Sequence, residues 1–279
     1  MSDREVLRVV RAQPTSDGAG VKLNRSLGGS ALPMLDPFLL LDEFSTDKPE
    51  DYLAGFPSHP HRGFETVTYM LAGAMEHKDS VGNTGKLVAG SVQWMTAGRG
   101  IVHSEMPQQQ DGLMWGFQLW VNLPAAKKMI PPRYQDIAPE MIPEVTVGGA
   151  RVRVIAGEAG GARGPVAGVA TAPLMLDVTL AAGAKIAQAI PKEHNAFAYV
   201  FEGEARFGGE GKSIGRQELA VLGLGDAVVA VGGEKGARFL LLAGQPINER
   251  VARYGPFVMT TENEIRDAVL DYQGGKLGR

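Results

Sequence analysis

The chain has 279 residues with 28 basic and 31 acidic side chains, and its formal net charge of −3 gives no electrostatic footprint for nucleic acid or an anionic membrane. It contains no cysteine, which excludes disulfides, thiolate nucleophiles, thiolate-bound zinc and iron–sulfur clusters together, so any metal must be held by His, carboxylate or oxygen donors. The length exceeds that of a usual single domain and points to two, each able to bury its own core.

From the N-terminus, Met1-Ser2-Asp3-Arg4-Glu5 runs on without a long apolar stretch, so neither a signal peptide nor a transmembrane helix is expected and cytoplasmic residence is the default. The chain has 37 Gly and 17 Pro, and between them short runs of Val, Ile, Phe and Tyr recur, the punctuation of many short strands in an all-β fold. Thr66–Leu71, Ser91–Met95, Phe117–Val121 and Phe239–Leu242 have strand length and composition, and Gly82-Asn83-Thr84-Gly85 has turn composition. Pro124, Pro131, Pro132, Pro139 and Pro143 suit no central strand and mark a linker, giving domains over about 1–135 and 136–245. In the tail, residues 246–279, Thr261 and Glu264 fit a capping box, with Ile265, Ala268, Val269 and Tyr272 following at the spacing of an amphipathic helix.

The halves look like a diverged repeat. Val67, Tyr69, Leu71 and Gly73 match Phe197, Tyr199, Phe201 and Gly203 at one offset, and Gly90 and Gly98 match Gly225 and Gly233 at another. These offsets align His59 and His61 with Ala189 and Pro191, and His103 and Glu105 with Arg238 and Leu240, so the second half is expected to lack a metal.

His59-Pro60-His61 and His103-Ser104-Glu105 are both i, i+2 pairs, which an extended chain points to one face about 6.5–7 Å apart. Two such pairs on facing strands can converge on one ion. Three neutral imidazoles and a carboxylate suit Fe, Ni, Cu, Mn or Co in an open site, with positions left for water, dioxygen or substrate. Glu65, four residues after His61, shares its face only if the strand runs unbroken through Gly63. Three roles are open to Glu65, as fourth ligand, as a group that orients an imidazole, or as a salt-bridged core carboxylate; the supporting role is favoured, with Glu105 as ligand. His77 and His194 stand alone among charged and polar neighbours and are expected to be solvated or locally hydrogen-bonded. Phe56, Phe64, Trp94, Trp115, Phe117 and Trp120 concentrate aromatics in the first half, where core packing and stacking on a flat ligand both explain them.

The segment from Gly55 to Tyr69 (GFPSHPHRGFETVTY), Gln93 to Pro107 (QWMTAGRGIVHSEMP) and Gln118 to Pro124 (QLWVNLP) closely resembles the pirin family of bicupins. The resemblance implies two antiparallel cupin jelly-roll β-barrels packed face to face, one metal in the N-terminal barrel and none in the C-terminal one. Carried onto matching positions, it implies His59, His61, His103 and Glu105 as ligands, whereas the general cupin pattern would choose Glu65. It implies a divalent transition metal, Fe(II) first, with Ni, Cu, Mn, Co and Zn as alternatives.

Some pirins resemble flavonol dioxygenases that open quercetin with O2 and release carbon monoxide, which would make Glu105 a catalytic base toward the flavonol hydroxyl. Others resemble redox-sensitive regulators that bind a transcription factor or a metabolic enzyme, and fold and ligands do not separate the two. The partners implied are a flavonol or other small phenolic with O2, or a protein, for a monomeric chain. Sugar-phosphate isomerase chemistry is disfavoured, because Arg62 and Arg99 are the only basic residues near the ligands in sequence.

Overall fold

The computed structural model describes residues 2–278. It is built of strands with one α-helix of any length, Glu262–Gln273, and among the described residues no helix is long and apolar enough to cross a membrane. The described chain divides into two units, one made of residues 14–28, 38–139 and 247–278, the other of 2–13, 29–37 and 140–246.

The three consecutive pieces expected from the prolines therefore do not describe the chain. Residues 2–13 belong with the second barrel because Val6–Arg11 pairs with Glu218–Leu222, and because the buried Arg4 guanidinium donates to the carbonyls of Pro191, His194 and Gly223. The tail belongs with the first barrel. Lys128, buried and pushed down to about 8 by desolvation, donates to the Gly63 and Val258 carbonyls and to Asn122 Oδ1, tying tail to barrel at one point. The expected capping box is present, with Thr261 accepting from the Glu264 amide and Glu264 from the Thr261 amide, and the helix buries Ile265 and Ala268 beside Phe257 and Met259. The proline-rich stretch is not simply a linker either: Arg133–Ile137 contains no proline and pairs as an edge strand with Val92–Thr96.

The first barrel has a seven-stranded sheet, in the order Arg133–Ile137, Val92–Thr96, Phe64–Ala72, Met114–Asn122, Phe38–Thr46, Val21–Leu27 and Gln13–Asp17. Its second sheet has four strands, Phe56–His61, Ile101–Pro107, Ala74–Asp79 and Thr84–Val88. Gly63 is where the chain leaves one sheet for the other. Its φ of +87° lies in the left-handed region, and a Cβ there would run into the Val258 carbonyl oxygen, so only glycine fits.

The second barrel repeats this pairing. Leu174–Leu180, Asn195–Phe207 and the last half of Ala227–Gly244 pair as Phe38–Thr46, Phe64–Ala72 and Met114–Asn122 do, while the first half of Ala227–Gly244 lies between Lys185–Ala189 and the end of Asn195–Phe207, as Ile101–Pro107 lies between Phe56–His61 and Ala74–Asp79. Register and inward face then align His59, His61, His103 and Glu105 with Ile186, Gln188, Ala230 and Gly232 at a single offset. The sequence offsets pointed to Ala189, Pro191, Arg238 and Leu240 because they matched glycines across a segment where the halves differ in length. Ile186 and Ala230 belong to a core of Ala, Val, Leu and Phe side chains, and the Gln188 amide donates to the carbonyls of Glu158 and Ala189.

Candidate metal centre

Four histidines and a glutamate of the first barrel share one sheet face. In the register of the four-stranded sheet His59 stands opposite His103 and His61 opposite Ile101, while on the other side of Ile101–Pro107 His77 stands opposite Glu105. Alternation then turns Ile101, His103, Glu105, Met75 and His77 inward, where all are buried, and leaves Val102, Ser104, Glu76 and Lys78 outside.

Potential ligand nitrogens of His59, His61 and His103 lie within 4.8 Å of one another. His59 Nδ1 sits 2.8 Å from the Pro57 carbonyl and donates to it, and its Nε2 is 3.0 Å from Nε2 of His61. The His103 ring lies 4.4 Å from that of His59 and 4.8 Å from that of His61, with Nε2 buried and unpartnered. Two imidazole nitrogens this close repel unless a proton or a cation sits between them, and a divalent ion would answer all three rings. Burial also holds His61 and His103 well below the ordinary 6.5, so both are neutral and ready to ligate near pH 7. The residues fit a metal: His59, His61 and His103 could hold a divalent ion.

Glu105 is buried on the same face but stands outside that close group, its Oε1 accepting from the Thr68 hydroxyl at 2.8 Å. Glu65 is placed differently. It lies beyond Gly63 in the other sheet and, three residues from Thr68 along a regular strand, faces the opposite way from the side chain that touches Glu105. There it accepts from the Thr96 hydroxyl at 2.6 Å, its pKa raised by burial. His77 Nδ1 lies 3.1 Å from Nδ1 of His103; His77 is buried rather than solvated, and burial lowers its pKa. His194 is also buried, in the other unit, where its carbonyl accepts from Arg4.

A cavity of about 600 Å³ opens beside the centre with His59, His61 and Glu105 in its lining. Trp120 and Phe56 supply apolar wall, Trp120 also packing edge-on to His61 at 5.5 Å between ring centroids. Trp94, Trp115 and Phe117 lie outside this lining, and Phe64 packs against His61 at 5.1 Å. Two cations unseen in the sequence pattern also line it. Arg25 is held bidentately by Asp42 at 2.7 and 2.8 Å, and Arg253 lies 4.8 Å over the Trp120 ring. Arg62, by contrast, is buried away from the cavity, donating to the Arg99 carbonyl and to Asp271 of the C-terminal helix.

The family model described as Pirin matches residues 20–121, and the one described as Pirin C-terminal cupin domain matches residues 175–278. A pirin-like protein of Caulobacter vibrioides is 50% identical over 278 residues, covering 99% of this chain and 100% of its own. The chain belongs to the pirin family. Its fold of two cupin domains is shared with a crystal structure of quercetin 2,3-dioxygenase from Acinetobacter baumannii, with a TM-score of 0.92 and 35% identity over 99% of both chains. A bacterial pirin from Escherichia coli, solved in complex with nickel(II), is similar in fold at a TM-score of 0.66 and 21% identity over 86% of this chain and 98% of that one.

Proposed function

We propose that this pirin is a metal-dependent dioxygenase that opens the ring of a quercetin-type flavonol with O2, with His59, His61, His103 and Glu105 holding one divalent ion, Fe(II) first. The observation that carries this reading is the meeting of three imidazoles and a buried Glu105 side chain beside a 600 Å³ cavity with aromatic wall, a size suited to a small flat ligand. The likeness to a named quercetin dioxygenase over 99% of both chains supports it.

Bound here, the ion supplies a Lewis acid that eases ionisation of a flavonol hydroxyl and the redox capacity that dioxygen chemistry requires. The remaining work belongs to side chains. Thr68 fixes Oε1 of Glu105, which leaves Oε2 to take the hydroxyl proton. Trp120 supplies apolar cavity wall beside the flavonol, and Arg253 lying over it favours a substrate that carries negative charge. Leu23, Leu40 and Phe56 keep water from the reacting end.

Anaerobic reconstitution with Fe2+, followed by quercetin and O2, should consume the flavonol absorbance and release carbon monoxide, and Glu105→Gln should abolish both. Absence of turnover with every divalent metal tried would overturn the dioxygenase reading and put a redox-sensitive regulator, binding a transcription factor or metabolic enzyme, in its place.

A further inference from the structure

We propose that His77 is the positioning residue of this metal centre: its Nδ1 accepts the Nδ1–H of His103 and so turns the Nε2 lone pair of His103 toward the point shared by His59 and His61. The inference rests on the metal-site reading above but not on the reaction assigned to it.

The two Nδ1 atoms are 3.1 Å apart with both rings buried, so one of them carries the proton between them. A neutral imidazole has one N–H. Were His77 the donor, the proton of His103 would sit on Nε2, aiming a buried N–H at the two other rings and leaving no lone pair for an ion. With His103 as donor, its Nε2, which has no partner in the protein, becomes the free donor atom that faces His59 and His61. A metal-bound imidazole commonly donates its second N–H to a carboxylate, carbonyl or water, and that contact fixes both tautomer and ring orientation. Here a second imidazole takes that place.

The packing around His77 supports the role. Strand register puts it directly opposite Glu105 and diagonal to His103, and the Tyr134 ring leans on it at 4.8 Å with an interplanar angle of 58°. Its other nitrogen, Nε2, is buried without a hydrogen-bond partner. Stability alone would favour an apolar side chain here, like Met75 two residues earlier on the same face, because an unpaired buried N–H is costly. The return on keeping His77 comes through His103.

Asn and Leu have nearly the same shape, and Asn places an acceptor oxygen about where Nδ1 of His77 stands. Metal-free wild type, His77→Asn and His77→Leu are titrated with Co2+ against a chromophoric chelator, with the visible spectrum of bound Co2+ recorded. His77→Leu should bind Co2+ about 10–100-fold more weakly and with altered ligand-field bands, while His77→Asn keeps roughly wild-type affinity and spectrum. Equal binding by the Leu variant, or equal loss in both variants, overturns the inference and leaves the metal site standing. A wild type that takes up no Co2+ overturns site and inference together. A second measurement needs no variant: in the Zn2+-loaded wild type, long-range 1H–15N spectra should show His103 protonated at Nδ1 and His77 at Nε2, and protonation of His77 at Nδ1 would overturn the assignment.

Discussion

Acid should loosen the metal-free barrel that carries the centre, well above the pH at which ordinary carboxylates titrate. His61 and His103 are held well below the ordinary 6.5 by burial, so they stay neutral in the folded barrel when the unfolded chain has begun to protonate them. The unfolded state then binds more protons, and stability rises with pH; it is fully present above about 6.5 and is lost as pH falls from there toward the depressed folded values. Between pH 7 and 5.5, one such group contributes about 1.2 kcal/mol, taking 6.5 for the unfolded imidazole and no protonation in the fold, so the pair contributes about 2.5 kcal/mol. Glu65 and Asp42, both raised by burial, act in the opposite direction at the acid end. Urea unfolding of chelator-treated protein across this range, compared with His61→Leu/His103→Leu, removes their effect, since both chains keep the two carboxylates. The wild type should lose about 2.5 kcal/mol more than the double variant. Equal pH dependence in the two would show that these imidazoles take up protons in the fold as readily as in the unfolded chain, and would remove the argument that burial holds them neutral.

Other expectations follow from individual contacts. Lys128→Met leaves the Gly63 and Val258 carbonyls and the Asn122 amide oxygen without their buried donor, and should cost about 3 kcal/mol in denaturant unfolding; a loss below about 1 kcal/mol would mean that the tail is held elsewhere. Thr68→Val, nearly isosteric, removes the hydroxyl that holds Glu105 and should lower stability by about 1.5–3 kcal/mol, with a drop in flavonol turnover in kcat rather than KM. Trp120→Leu removes the ring beside His61 and beneath Arg253 and should weaken quercetin binding about tenfold by fluorescence titration, while Co2+ affinity stays unchanged.

The meeting of His59, His61 and His103 was legible because strand geometry is local: two i, i+2 pairs put their side chains on one face whatever the rest of the chain does. The capping box and the strands at Thr66–Leu71 and Phe117–Val121 were legible for the same reason. His77 was misread from its neighbours. Glu76 and Lys78 suggest solvent when read as composition, yet read with the period of a strand they take the outside and send Met75 and His77 inward. Arg25 and Arg253 come from opposite ends of the chain, and only tertiary structure brings both to one cavity. The strand Val6–Arg11 likewise finds its partner at Glu218–Leu222, a pairing no local pattern announces.

The two barrels align by strand pairing where sequence offsets misplace them. Both place two strands in the register that sets His59 opposite His103 in one and Ile186 opposite Ala230 in the other. In the second barrel those positions, with Ala205 at the place of His77, join one apolar cluster filled by Phe207, Phe239 and their neighbours. The first barrel keeps its inward face polar and opens a cavity onto it, and so accepts buried ring nitrogens without partners on His77 and His103. Such groups each cost stability unless something answers them. The opened chain direction at Gly63, which parts His61 from Glu65, and the inward turn of His77 belong to the same arrangement, because each directs a donor toward or away from a single point. The difference between the barrels is therefore one of interior filling as much as of residue identity: in the second the corresponding positions join an apolar core, and in the first three imidazoles that could hold an ion stand beside a cavity.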